Sequence, residues 1–259
     1  MPISTNEVEA EVLSSIKRKK PYSVIRCGEG ELKILNAIDD QRSYKSKTRN
    51  HLGMIPVGND QKKITDDLLA AIKNATTLGI TPSLFSGHDE DKKKYAGTYW
   101  EKTPLILSQY GIDIERVRCC SMSINIEFMK NGFFSRISKH IANLLIISAH
   151  DVRDGLRKKH GFKEIEWLRI EPQQAYFNNR GEAHYPTQYD CITKKLNKNL
   201  LSEITAIVGA GFLGKHYCET IRKQGGVSLD VGSVFDFWAG FLTRGKGKGK
   251  EVPYHKYKI

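Results

Sequence analysis

No stretch of the sequence approaches 18 uninterrupted apolar residues, so no membrane-spanning helix is expected. The opening residues, MPISTNEVEAEVLSS, are polar and acidic with no apolar core, which argues against a secretory leader. Cysteine is scarce and ill-arranged for its structural uses. Cys27, Cys119, Cys120, Cys191 and Cys218 are odd in number, include one adjacent pair and never form C-x-x-C. Neither a disulfide framework nor a zinc site is expected, and a reduced, cytoplasmic setting is. The sequence also lacks H-E-x-x-H, G-x-S-x-G and the P-loop, so the enzyme classes built on those motifs have no support. No internal repeat is visible, and no linker rich in Pro, Gly or Ser divides the chain.

What the chain has in excess is positive charge. Its 41 Lys and Arg against 29 Asp and Glu give a net charge of +12, which favours an anionic partner. Phosphorylated substrates, nucleic acid and an anionic membrane face all qualify. No nucleic-acid-binding motif is present, so nucleic acid is the least supported of the three. With 39% apolar residues over 259 positions, there is ample material for a folded core.

Periodicity supplies the framework. Ser4-Thr5-Asn6-Glu7 fits a capping box opening a helix that runs toward Lys19. Tyr22–Arg26 reads as a short buried strand, residues 28–31 as a turn, and residues 39–59 as a polar, basic loop. Asp60–Asn74 reads as a helix, Leu78–Thr81 as a strand, and Ser86–Gly97 as a long loop. Strands follow over Val117–Met122, Asn143–Ser148 and Ile165–Ile170, with a helix over Ile124–Lys130. Near the end, strand Ile204–Val208, glycine turn Gly209–Gly214, helix Lys215–Lys223 and strand Val227–Val231 form a β-α-β unit. Its two strands should therefore lie parallel. The expected fold class is α/β: an open, mostly parallel twisted sheet flanked by helices, related to the Rossmann arrangement. One domain is expected over residues 1–244, followed by a basic, flexible tail over 245–259.

Three turns at strand ends carry chemistry, where an open α/β sheet binds its ligands. After the first strand come Arg26-Cys27-Gly28-Glu29-Gly30-Glu31. Two carboxylates two residues apart suit a hard divalent cation, and Arg26 adds a planar fork for a diphosphate. Glu29 and Glu31 equally suit the plain N-terminus of a helix. The second turn, Gly209-Ala210-Gly211-Phe212-Leu213-Gly214, is a literal G-x-G-x-x-G before Lys215. It fits a phosphate cradle, or glycine used only for close helix–sheet packing. A nicotinamide-dependent oxidoreductase built on this turn is the rival enzyme reading. The third turn runs from Asp230 to Trp238. One of Asp230 and Asp236 suits a sugar hydroxyl and the other a proton acceptor, with either a candidate base, although both residues also commonly cap turns. His184-Tyr185-Pro186 lies in a predicted loop, where His184 suits a substrate contact, although a lone loop histidine is more often simply solvated.

The Arg26–Glu31 pattern resembles the signature of the GT-D-fold glycosyltransferases. Gly209–Gly240 is similar to the C-terminal block of bacterial members associated with surface-polysaccharide synthesis. The resemblance spans roughly residues 20–244 and is weak in the middle. It implies transfer of a sugar, of hexosyl type, from a nucleotide-sugar donor, a UDP-sugar, to a glycan or lipid-linked acceptor. It implies Glu29, Glu31 and Asp236 as catalytic residues. Donor binding would fall to Arg26, Gly28, Gly209, Gly211, Gly214, Lys215 and Asp230. The family's acidic motif is Asp-x-Glu, associated with Mn²⁺ or Mg²⁺, and it maps onto Glu29-Gly30-Glu31 with glutamate in place of aspartate. The basic surface and the alternating Gly and Lys of residues 244–250 suit work at the inner face of an anionic membrane.

Overall fold

A computed structural model describes residues 2–81, 97–173, 183–198, 201–241 and 258–259. The predicted loop over 86–97 falls almost wholly outside these residues, as do the loop 178–182 and most of the tail 245–259. Seven strands form one sheet: β1 (Tyr22–Arg26), β2 (Thr77–Ile80), β3 (Cys119–Ser121), β4 (Asn143–Ser148), β5 (Glu164–Arg169), β6 (Ile204–Gly209) and β7 (Val227–Asp230). Their order is β3-β2-β1-β7-β6-β4-β5, and every pairing is parallel. The expected α/β class is the observed one.

Alternation along the strands explains the layers. Ile25, Leu145, Ile147, Ala206 and Val208 point into one apolar cluster, whereas Val24, Leu144, Ile146 and Ile207 point into a second one. Side chains alternate across a strand, so a sheet buried on both faces needs such near-continuous apolar runs. The first face is covered by α2 (Glu29–Leu35), α3 (Gln41–Leu52), α4 (Asn59–Lys73), α5 (Thr103–Gln109), α9 (Tyr189–Lys198) and α10 (Gly214–Lys223). The second is covered by α1 (Thr5–Arg18), α6 (Ile124–Lys130), α7 (Phe133–Ile137), α8 (Arg153–His160) and α11 (Val234–Trp238).

Local signals work where capping chemistry and burial agree. The Glu7 amide donates to Ser4 Oγ at 3.3 Å and the Ser4 amide to Glu7 Oε2 at 2.7 Å, closing the capping box that starts α1. Two expectations are corrected. Residues 39–59 contain helix α3, capped by Asp40, whose side chain accepts from the Ser43 amide at 2.9 Å. Its buried stripe is Tyr44, Thr48, His51 and Leu52, in which two members are polar, so apolar periodicity does not reveal it. The turn over 28–31 is the start of α2, with Gly28 as its N-cap.

Among the described residues, no helix is long and apolar enough to cross a membrane. At the chain's end the Ile259 amide donates to the Trp238 carbonyl at 3.1 Å, and Ile259 packs on the second cluster.

Candidate active site

One cavity of about 230 Å³ opens at the carboxyl ends of the strands. All three chemically loaded turns line it: Arg26 and residues 28–31 at the end of β1, residues 209–212 at the end of β6, and Gly232, Ser233 and Asp236 after β7. Chain segments separated by some 200 positions meet here because β1, β7 and β6 are neighbours in the sheet.

Lys215, in the first turn of α10, is the centre of the arrangement. Its Nζ lies 3.0 Å from Glu31 Oε1, 2.8 Å from Asp230 Oδ2 and 3.0 Å from the Gly211 carbonyl oxygen. An ammonium has three protons, and these three acceptors take them all. Lys215 is 2% exposed. Burial disfavours its charge, but Asp230 and Glu31 outweigh that and raise its pKa. Burial likewise pushes the Glu31 carboxyl up, while Lys215 and Lys47 outweigh it and hold the group at about 2. The second Glu31 oxygen accepts from the Gly28 amide at 2.9 Å, which anchors the start of α2.

Arg26 is fixed from the same cluster. Its amide donates to Asp230 Oδ2 and its Nε to the Asp230 carbonyl, each at 3.1 Å. The guanidinium lies against Gly232 (φ +50), where a Cβ would stand 2.0 Å from Nη2. Asp230 is 3% exposed and spends its side chain on Arg26 and Lys215. The structure therefore places it behind the cavity wall, orienting cations, rather than beside a sugar hydroxyl. Asp236 does line the cavity, 3.1 Å from His150 Nε2.

The glycines are explained by contact. Gly211 sits at φ +58, and a Cβ there would stand 2.0 Å from His51 Cε1. Gly209 faces Phe235 and the Gly232 carbonyl, and Gly214 faces Val208 and Ala210. Gly211→Ala should cost about 1–3 kcal/mol of stability through left-handed strain and displacement of His51, measurable by chemical denaturation.

The residues do not fit a divalent cation shared by Glu29 and Glu31. The two side chains diverge: Glu29 is about half exposed and pairs with Lys33 at 2.5 Å, whereas Glu31 turns inward. The space between Glu31 and Asp230 that would suit a cation holds the Lys215 ammonium. Among the described residues, no group of three or more His, Cys, Asp or Glu is placed to hold a metal ion.

Sequence reading missed several lining residues. His51 and Lys47 come from α3, in the stretch read as loop. His51 packs against Phe212 with ring centroids 4.7 Å apart and the planes tilted by 40°, and burial lowers its pKa well below the ordinary value. His184, which the sequence offers as a substrate contact or as a solvated residue, lines the cavity and is 4% exposed; its Nε2 pairs with the Tyr217 hydroxyl at 2.8 Å, and burial lowers its pKa to about 3. Both rings are thus neutral at physiological pH. His150 follows β4, and only its position at a strand end hints at a role.

Comparison with known proteins agrees with the topology. Three solved structures resemble this one at low identity, which bears on the fold alone. A glycosyltransferase (DUF1792) from Streptococcus sanguinis aligns with a TM-score of 0.57 at 13% identity, covering 99% of this chain and 97% of that one. A structure described as the highly conserved domain of unknown function 1792 with a distinct glycosyltransferase fold aligns at 0.55 and 16% identity, over 100% of this chain and 90% of that one. A selenomethionine-substituted structure of the same domain gives 0.53 at 15%, with the same coverage. No curated protein matches the sequence. The description of the GT-D fold-like domain matches residues 3–238, taking in all seven strands and each of the three turns that meet at the cavity, and the chain belongs to that GT-D-like family.

Proposed function

We propose that this protein is a glycosyltransferase that moves a sugar of hexosyl type from a UDP-sugar to a glycan or lipid-linked acceptor in surface-polysaccharide synthesis. The observation that carries the reading is the meeting of the three turns on one cavity, with the Arg26 guanidinium held rigidly at its wall. Family membership supports sugar transfer as the reaction class. The donor and acceptor classes rest on the motif resemblance.

The chemistry follows from the charges. As the acceptor oxygen bonds to the anomeric carbon, the bond from that carbon to the diphosphate breaks and its electron pair leaves with the diphosphate. Arg26, preorganised by Asp230, meets the charge that develops there. The glycine turn from Gly209 to Phe212 lets backbone approach the phosphates closely. Lys215 acts indirectly: it pairs with both Glu31 and Asp230 and weakens the repulsion that these buried carboxylates exert on the donor. Where transfer inverts the anomeric carbon, Asp236 takes the acceptor's proton, with its carboxylate held by His150.

A screen of nucleotide sugars by thermal shift, with and without manganese, tests this. UDP and one UDP-sugar should raise the Tm, with slow donor hydrolysis following. Stabilisation by NAD(H) and none by any nucleotide sugar would overturn the reading in favour of the oxidoreductase.

A further inference from the structure

A second cavity, of about 280 Å³, opens beside the first, and Arg26, Met122 and Ser233 line both. The rest of its wall is of a different character. Ser123 caps α6, Asn125, Ile126 and Met129 come from α6 itself, and Phe237 comes from α11. The two cavities meet at α11, where consecutive residues divide between them: Asp236 lines the first and Phe237 the second.

Asn125 is the unusual member. It is 2% exposed, and its Nδ2 donates to the Val231 carbonyl at 2.8 Å. That bond fixes the amide's orientation and leaves Oδ1 buried without a hydrogen-bond partner among the described residues. Buried acceptors are nearly always satisfied, and an orphan in a cavity wall asks for a donor from whatever occupies the cavity. A hydroxyl or amine on a bound molecule would supply that donor. The surrounding thioethers, Ile126 and Phe237 call for an apolar body beside it.

We propose that this second cavity is the acceptor subsite, and that it takes a sugar hydroxyl joined to an apolar aglycone. The hydroxyl donates to Asn125 Oδ1, and the aglycone packs on Met122, Ile126, Met129 and Phe237. This deepens the transferase reading and rests on it, because an acceptor held here faces the donor across Arg26 and Ser233.

The test uses the full chain saturated with UDP, with methyl and n-octyl glucoside as probes below micellar concentration and calorimetry as the readout. Octyl glucoside should bind at least roughly tenfold more tightly than methyl glucoside, a gain that about two buried methylenes supply. Ile126→Glu should abolish that preference while UDP binding stays, and Asn125→Ala should weaken both glucosides. Leu105→Glu, on an exposed surface position, should change neither. Equal affinity for the two glucosides, or an octyl preference untouched by Ile126→Glu, overturns the proposal, and the Ile126 result decides even if Asn125→Ala does not fold. Failure of the wild-type chain to bind UDP would sink the transferase reading instead, leaving the amphiphile site to stand or fall on Ile126→Glu.

Discussion

Replacing Lys215 with methionine will cost the fold about 3–5 kcal/mol, because it strands Glu31 and Asp230 as buried carboxylates with their main counter-charge gone. Urea denaturation of the variant measures the loss. The same ion cluster sets a pH signature. Glu31 is held at about 2 in the folded protein, below the ordinary glutamate value of 4.5. A carboxyl with a depressed folded pKa binds protons more weakly in the native state than in the unfolded one. Its stabilising contribution is therefore complete above pH about 4.5 and disappears as the pH falls toward 2. The wild-type chain should lose stability across that window. In a Glu31→Gln variant that share of the pH dependence should vanish. If the unfolding free energy of Lys215→Met lies within about 0.5 kcal/mol of wild type, the buried cluster is not what joins β1, α10 and β7.

Arg26→Lys will lower sugar transfer roughly 100-fold or more, the loss typical of removing one preorganised donor from a developing negative charge. Lysine keeps the charge and loses the geometry. Arg26 spends its Nε on the Asp230 carbonyl and carries the remainder of its planar fork along Gly232 to the cavity. A single ammonium cannot make both contacts. The fold should survive, since Lys215 still pairs with Asp230, so the Tm should stay near that of wild type while turnover falls. Full turnover in Arg26→Lys would remove Arg26 from the chemistry and leave the diphosphate to other groups.

The two variants separate roles that the motifs alone run together. Read as text, Glu31, Lys215 and Asp230 all look like ligand-binding residues. In the folded chain they satisfy one another and act as the base on which Arg26 and the glycine turn are mounted. Glu29, the other half of the acidic motif, lies at the surface with Lys33.

Much of the frame was legible in the residues themselves. Tyr22–Arg26, Asn143–Ser148 and Ile124–Lys130 begin and end where apolar runs and helical spacing place them. The β-α-β unit near the end of the chain follows from its pattern, and its strands are parallel neighbours. These are local matters: periodicity, capping and glycine report on a few consecutive residues, and a strand buried on both faces has little choice of composition. Helix α9 (Tyr189–Lys198) buries Tyr189, Ile192 and Leu196 at the helical spacing i, i+3 and i+7, a signal made faint by the polar residues between them. Helix α3 is a harder case: Thr48 and His51 share its buried face with Tyr44 and Leu52, and only packing on α2 and on Phe212 gives polar side chains that role. Sequence by itself determined the α/β class and the three strand-end turns. Tertiary structure alone decided which of their charges face the cavity and which pair inside it, because a Coulomb interaction depends on the distance through space and on the loss of water around it. Residues 31, 215 and 230 acquire that distance only once β1 and β7 lie side by side.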